Sequence, residues 1–304
     1  MRRTGQNISI VVNNLTVSYN DLGSDNHQVI IFIHGFPFNK AMWNKQLEHL
    51  KENYRVIAYD IRGFGDSEIG SDNFSINLFA NDLIDFMDAL KIEKAIICGL
   101  SMGGYIALNA IARYPERFEA LILSDSSCIA DTKETKAKRL LSIENIMDKG
   151  VKSYADASIK NFFTTESCDS QHEEIAFVKT MITDTPKTTL CKTLVALAER
   201  NETCSILPEI KVPVHIIVGE QDNITPLKFA QFMNEQIKDS SLSIIPQTGH
   251  LANIENATKF NDQLTQFADW FVQSYLDHKM EEVSLSVSPI KDNKKDKLLT
   301  FKAS

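Results

Sequence analysis

The sequence has no Cys-x-x-Cys pair, no apolar run of membrane-spanning length and no excess of basic charge. Its five cysteines (Cys98, Cys128, Cys168, Cys191 and Cys204) are an odd number at wide spacings. That argues against a disulfide framework or a zinc site, and for reduced thiols in a cytoplasmic protein. The pair Arg2-Arg3 is followed by no apolar segment. The longest clean apolar stretch near the N-terminus, Val29 to Ile33, is five residues, against about 20 needed to span a bilayer. Lys and Arg number 32 against 40 Asp and Glu, a net charge of −8 over 304 residues. A chain this acidic lacks the clustered basic charge that nucleic acid or an anionic membrane surface requires. The expectation is a soluble, unexported, cytoplasmic protein.

No internal repeat is present, and from Asn7 onward strand-like and helix-like segments alternate. Ile8 to Val12 and Leu15 to Tyr19 flank Asn13-Asn14, the pattern of a hairpin. Gln28 to Ile33 and Tyr54 to Tyr59 read as buried strands, with a helix from Met42 to Leu50 between them. Ser75 to Leu90 spaces its apolar residues three or four apart, as an amphipathic helix does. Strand Ala95 to Cys98, helix Met102 to Arg113 and strand Ala120 to Leu123 follow. This alternation predicts a mostly parallel sheet with crossover helices on both faces.

After Asp125 the rhythm breaks. Thr135 to Asp148, Tyr154 to Phe163, Glu173 to Ile182 and Pro186 to Arg200 all read as helical, the last with Thr185 as its N-cap. Strands return at Val212 to Val218 and Leu242 to Ile245, and a closing helix spans Ala257 to Tyr275. The expected organisation is a core formed by residues 1–125 and 207–277, interrupted by a helical cap at 126–206. Residues 278–304 are expected to be a disordered, lysine-rich tail.

The chemistry concentrates at Gly99-Leu100-Ser101-Met102-Gly103. A nucleophile on a tight strand-to-helix turn needs small neighbours at Gly99, Gly103 and Gly104. The same turn points the Met102 N–H and the helix N-terminus at any negative charge developing beside Ser101. Serine needs a base, and His250 follows the strand Leu242 to Ile245 at the same sheet edge. The third member should be a carboxylate that fixes the His250 tautomer. Asp222 lies in the loop after Val218, before a helix opened by Pro226. Asp125, after the preceding strand, is the rival. After the strand ending at Ile33, Gly35 and Phe36 turn sharply, so the Phe36 N–H pairs with that of Met102 as an oxyanion hole and His34 holds the loop.

These pieces, with Asp60-Ile61-Arg62-Gly63-Phe64-Gly65-Asp66-Ser67, resemble the α/β-hydrolase superfamily from about residue 8 to 277. Among its members the chain is most similar to small capped enzymes: enol-lactone hydrolases, cofactor-free haloperoxidase or perhydrolase types, and carboxylesterases. The resemblance implies an α/β-hydrolase fold with an eight-stranded, mostly parallel sheet, flanking helices, a helical cap, and the chain order Ser101, Asp222, His250. Serine at 101 departs from the aspartate nucleophile of haloalkane dehalogenases and epoxide hydrolases. Gly35-Phe36-Pro37 departs from the His-Gly-Gly-Gly of the hormone-sensitive-lipase type, and Glu255-Asn256-Ala257 from the frequent Glu-x-Pro.

Two other motifs fail. Gly63-x-Gly65 has Glu68 where a dinucleotide fingerprint needs its third glycine, and His172-Glu173 lacks the second histidine of a zinc protease. No metal, nucleotide or other cofactor is expected. The function expected is hydrolysis of a carboxylic ester, lactone or thioester of a modest-sized, largely apolar acid, in a pocket lined by Phe38, Trp43, Tyr105, Phe162 and Phe163. Carbon–carbon bond hydrolysis or perhydrolysis is the alternative on the same scaffold. A ligand-sensing receptor with residual turnover is the alternative of another class.

Overall fold

The computed structural model describes residues 4–25 and 27–286. Eight strands form one sheet: β1 (Gly5–Val12), β2 (Leu15–Leu22), β3 (Val29–Ile33), β4 (Arg55–Tyr59), β5 (Ala95–Leu100), β6 (Phe118–Ser124), β7 (Val214–Gly219) and β8 (Ser240–Ile245). Their spatial order is β1-β2-β4-β3-β5-β6-β7-β8. β1 and β2 run antiparallel to their neighbours, and every pairing from β4 to β8 is parallel. The β1–β2 turn is made by Asn13 and Asn14, both at positive φ (48° and 63°), the conformation a two-residue hairpin demands and asparagine tolerates. From β3 the chain steps to β4 on one side and then returns to β5 on the other. The crevice outside the carboxyl ends of β3 and β5 is therefore the topological switch point, where sheets of this kind bind ligands.

The helices are α1 (Asn44–Leu50), α2 (Ile76–Ala89), α3 (Met102–Arg113), α4 (Lys133–Phe162), α5 (Thr165–Ser170), α6 (His172–Asp184), α7 (Lys187–Glu199), α8 (Leu227–Gln236), α9 (Ala252–Glu255) and α10 (Ala257–Ser286). Because side chains alternate along a strand, β3 sends Ile31 and Ile33 to the core beneath α2 and α3, and Ile30 and Phe32 to the core beneath α1 and α10. Ser75 caps α2, its hydroxyl accepting from the Leu78 amide.

α4 to α7 all lie between β6 and β7. α4 unites the two segments expected at 135–148 and 154–163 and bends between them at Gly150, whose φ of 81° suits glycine. α5 was not anticipated. Thr185 does not cap α7; its hydroxyl donates to the Met181 carbonyl at the end of α6. α10 continues to Ser286, so residues 278–286, expected to belong to the tail, are helical. The lysine-rich stretch itself, 291–302, lies outside the described residues. No helix among them is long and apolar enough to cross a membrane.

The expectation of five reduced thiols is overturned. Cys128 and Cys204 form a disulfide, leaving Cys98, Cys168 and Cys191 free. The two lie 76 positions apart, but the insertion leaves from β6 and returns to β7, which are adjacent, so its two ends meet. The Thr203 amide also donates to the Cys128 carbonyl. The ground that the cysteines supplied for a cytoplasmic location falls with this pairing.

Candidate active site

Ser101 follows β5 directly at φ 53° and ψ −113°, and α3 begins at Met102. Non-glycine residues rarely hold such angles. Two close approaches hold this turn. A Cβ on Gly99 would stand 2.4 Å from the Gly103 backbone, and one on Gly103 would stand 2.3 Å from the Ile33 carbonyl oxygen. The Ser101 amide donates to the Ser124 carbonyl, and the Ser126 hydroxyl to the Ser101 carbonyl, both at 2.9 Å.

His250 sits in the loop between β8 and α9, with Nδ1 2.8 Å from Oδ2 of Asp222. The Thr225 hydroxyl donates to the same oxygen at 2.6 Å. The Ile224 and Thr225 amides donate to Oδ1 at 2.7 and 3.0 Å. Burial alone would raise the Asp222 carboxyl, but attraction to His250 and the hydrogen bonds from His250 and Thr225 hold it at about 2. An ionised Asp222 accepts a hydrogen bond from Nδ1–H, which leaves Nε2 as the unprotonated nitrogen of the neutral ring.

Asp125, the rival acid, is fully buried and faces elsewhere. It accepts from the Gly219 amide and the Ser124 hydroxyl. Burial, and then repulsion from Asp222, push its carboxyl well above the usual range.

His34 holds the turn after β3, as expected of it. Nε2 accepts from the Ile61 amide at 3.0 Å, and Nδ1 donates to the Gly35 carbonyl at 2.9 Å. Burial lowers its pKa to about 4, so the ring is neutral. The Asp60–Ser67 motif supports the same region. Asp60 accepts from the Lys40 ammonium and amide and from the Asp66 amide. A Cβ on Gly65 would meet the Asp60 carboxylate at 2.2 Å.

Ser101, Met102, Phe36 and His250 open onto one cavity of about 630 Å³. Of the expected pocket residues, Tyr105 and Phe162 line it, but Phe38, Trp43 and Phe163 do not. Phe38 and Trp43 belong to the core under α1 and α10, where Trp43 packs 5.0 Å from Phe32 and 6.1 Å from Phe260. Phe38 lies behind Phe162, with ring centroids 5.1 Å apart. Phe36, Met102, Leu197 and Ile224 add apolar lining, whereas the first part of α4 contributes a polar strip of Lys138, Ser142, Asn145 and Lys149.

Glu255 was noted in the sequence only for lacking its usual proline. It is buried, and it accepts from the Thr164 amide and hydroxyl on one oxygen (2.9 and 2.8 Å) and from the Gly249 amide on the other (2.6 Å). The His250 amide donates to the Phe162 carbonyl at 2.9 Å. The end of α4 is thus fastened to the histidine loop.

Among the described residues no cluster of His, Cys, Asp and Glu could hold a metal ion.

The family model described as alpha/beta hydrolase fold matches residues 28–257. The chain belongs to the α/β hydrolase family. As an α/β hydrolase it is 30% identical over 262 residues to 3-oxoadipate enol-lactonase 1 of Acinetobacter baylyi, covering 85% of this chain and 91% of that one. Among solved structures it resembles a thermophilic esterase from Thermogutta terrifontis, at TM-score 0.83 and 27% identity, covering 88% of this chain and 99% of that one. An enol-lactonase from Burkholderia xenovorans matches at TM-score 0.81 and 25% identity, covering 86% and 100%. The chain is an enzyme of this hydrolase family.

Proposed function

We propose that this α/β hydrolase is a serine hydrolase that cleaves a carboxylic ester, lactone or thioester through an acyl-enzyme. The observation that carries the reading is the 2.8 Å contact between His250 Nδ1 and Asp222, with His250 and Ser101 on one cavity. Ser101 Oγ attacks the carbonyl carbon as His250 Nε2 takes its proton. The Phe36 and Met102 amides receive the oxyanion; Met102 is the first residue of α3, where an amide has no acceptor within the helix. His250 then protonates the leaving oxygen or sulfur, and the carbon–oxygen or carbon–sulfur bond breaks. Water, deprotonated by His250, attacks the acyl-enzyme and releases the acid. Asp222 fixes the His250 tautomer and stabilises the imidazolium.

In this reading residues 126–206 act as a cap over a core made of 1–125 and 207–277. The similarity to enol-lactonases and an esterase supports the bond type, and a cavity of about 630 Å³ fits a small-molecule substrate.

The test is Ser101→Ala assayed with 4-nitrophenyl acetate, beside fluorophosphonate labelling of the wild type. Turnover should fall about 10³-fold or more with folding intact, because only oxyanion and binding effects remain. Near-normal turnover by purified Ser101→Ala removes the assignment.

A further inference from the structure

The cap side of the cavity carries a pattern that ester hydrolysis does not require. Lys138, Ser142, Asn145 and Lys149 follow one another at steps of four, three and four residues, which places them on one face of α4, and all four line the cavity. With Arg139 the lining residues include three cations and, among the described residues, no carboxylate. This occurs in a chain whose net charge is −8. Arg139 is committed elsewhere: its guanidinium is ion-paired with Asp131, which also takes Arg200. Lys138 and Lys149 have no ion pair among the described residues. Two solvent-exposed lysines therefore stand at the two ends of a polar stripe, beside a cleft with no carboxylate among its described lining residues. A cleft lined by one sign of charge concentrates ligands of the other.

We infer that the cavity selects an ester or lactone that carries a second, ionised carboxylate remote from the scissile carbonyl. Lys138 and Lys149 attract that carboxylate, and the Asn145 amide between them donates to its oxygens; the Ser142 hydroxyl already donates to the Lys138 carbonyl. A neutral substrate gains nothing from the two charges. A phosphate would be drawn to the same two charges, and the experiment sets the two anions against each other. The fate of the ester rests on the serine-hydrolase reading; the preference for a carboxylate does not.

The experiment uses two esters that differ by one charge, mono-4-nitrophenyl glutarate and 4-nitrophenyl methyl glutarate, each corrected for its buffer rate. The wild type should favour the charged ester in kcat/KM by about ten-fold at low salt. That ratio should shrink in 0.5 M salt, where the screening length is only a few ångströms. The double variant K138M/K149M should lower the ratio about ten-fold, and K138R/K149R should retain it. Calorimetric titration of Ser101→Ala should show tighter binding of monomethyl glutarate than of dimethyl glutarate. A wild-type ratio at or below one, an unchanged ratio in K138M/K149M, or stronger inhibition by inorganic phosphate than by glutarate overturns the inference. If neither ester is cleaved while Ser101→Ala still prefers the charged ligand, the hydrolase reading fails and the anion site stands.

Discussion

Oδ1 of Asp125 accepts the Gly219 amide at 2.8 Å, so the carboxyl group just past β6 fixes the end of β7, from which the loop carrying Asp222 leaves. The two acids after neighbouring strands have therefore separated their tasks. One anchors backbone, and the other faces His250.

Asp222→Asn should lower kcat by on the order of 10⁴, the cost of an unfixed histidine tautomer in a serine triad. Asp125→Asn should retain kcat within about ten-fold and lower the melting temperature instead. Both variants are compared at pH 7 to 8 with circular dichroism as the folding control. A collapse of kcat in Asp125→Asn alone would reverse the assignment.

Glu255→Ala leaves the Gly249 amide and the Thr164 amide and hydroxyl without their acceptor, in a buried place. The expected loss is about 3 kcal/mol, and because the same clasp seats the histidine loop, kcat should fall with it. Glu255→Gln keeps an acceptor and should lie between. A thermal melt of Glu255→Ala that overlays the wild type would refute the clasp.

Reduction of the Cys128–Cys204 bond frees the two ends of an insertion 76 positions long. The chain-entropy argument assigns such a closure about 4 kcal/mol. Thiol titration of the denatured, unreduced protein should find three thiols, and reductant should lower the melting temperature. Five thiols would show that the bond does not form.

Burial holds both His34 and His215 at about 4. Unfolded imidazoles titrate near 6.5, so between about 6.5 and 4 the unfolded chain binds more protons than the folded one. Stability then rises with pH across that window and is lost as pH falls through it, by on the order of 3 kcal/mol for the fully buried His34. Asp125, raised by burial, works in the opposite sense above about 4. His215→Leu separates the contributions: its melting temperature should vary less with pH over this window than that of the wild type. Parallel curves for the two proteins would remove His215 from the account.

The legible parts of this molecule are those whose cause is local. Buried strands announce themselves as apolar runs, and Gly99, Ser101 and Gly103 form their turn within five residues. Asp222 and His250 were placed by the loops they occupy, each just past a strand. What stayed hidden depended on partners distant in sequence. Cys128 and Cys204 meet only because β6 and β7 are neighbours. Phe38 and Trp43 follow the Phe36 turn but pack against the opposite face of the sheet. The spacing of Lys138, Ser142, Asn145 and Lys149 was present in the sequence, yet a lysine on a helix reads as a solvated face until a cavity is found beside it.

The bend at Gly150 splits the long helix into two rods with different obligations. The second is tied through the Phe162 carbonyl to the loop that carries His250. The first, residues 133–149, has no such tie and presents its flank to whatever enters. Substitutions on the cavity-facing side of the first rod, about five turns of helix, therefore alter the lining without touching the contact between Phe162 and the His250 loop.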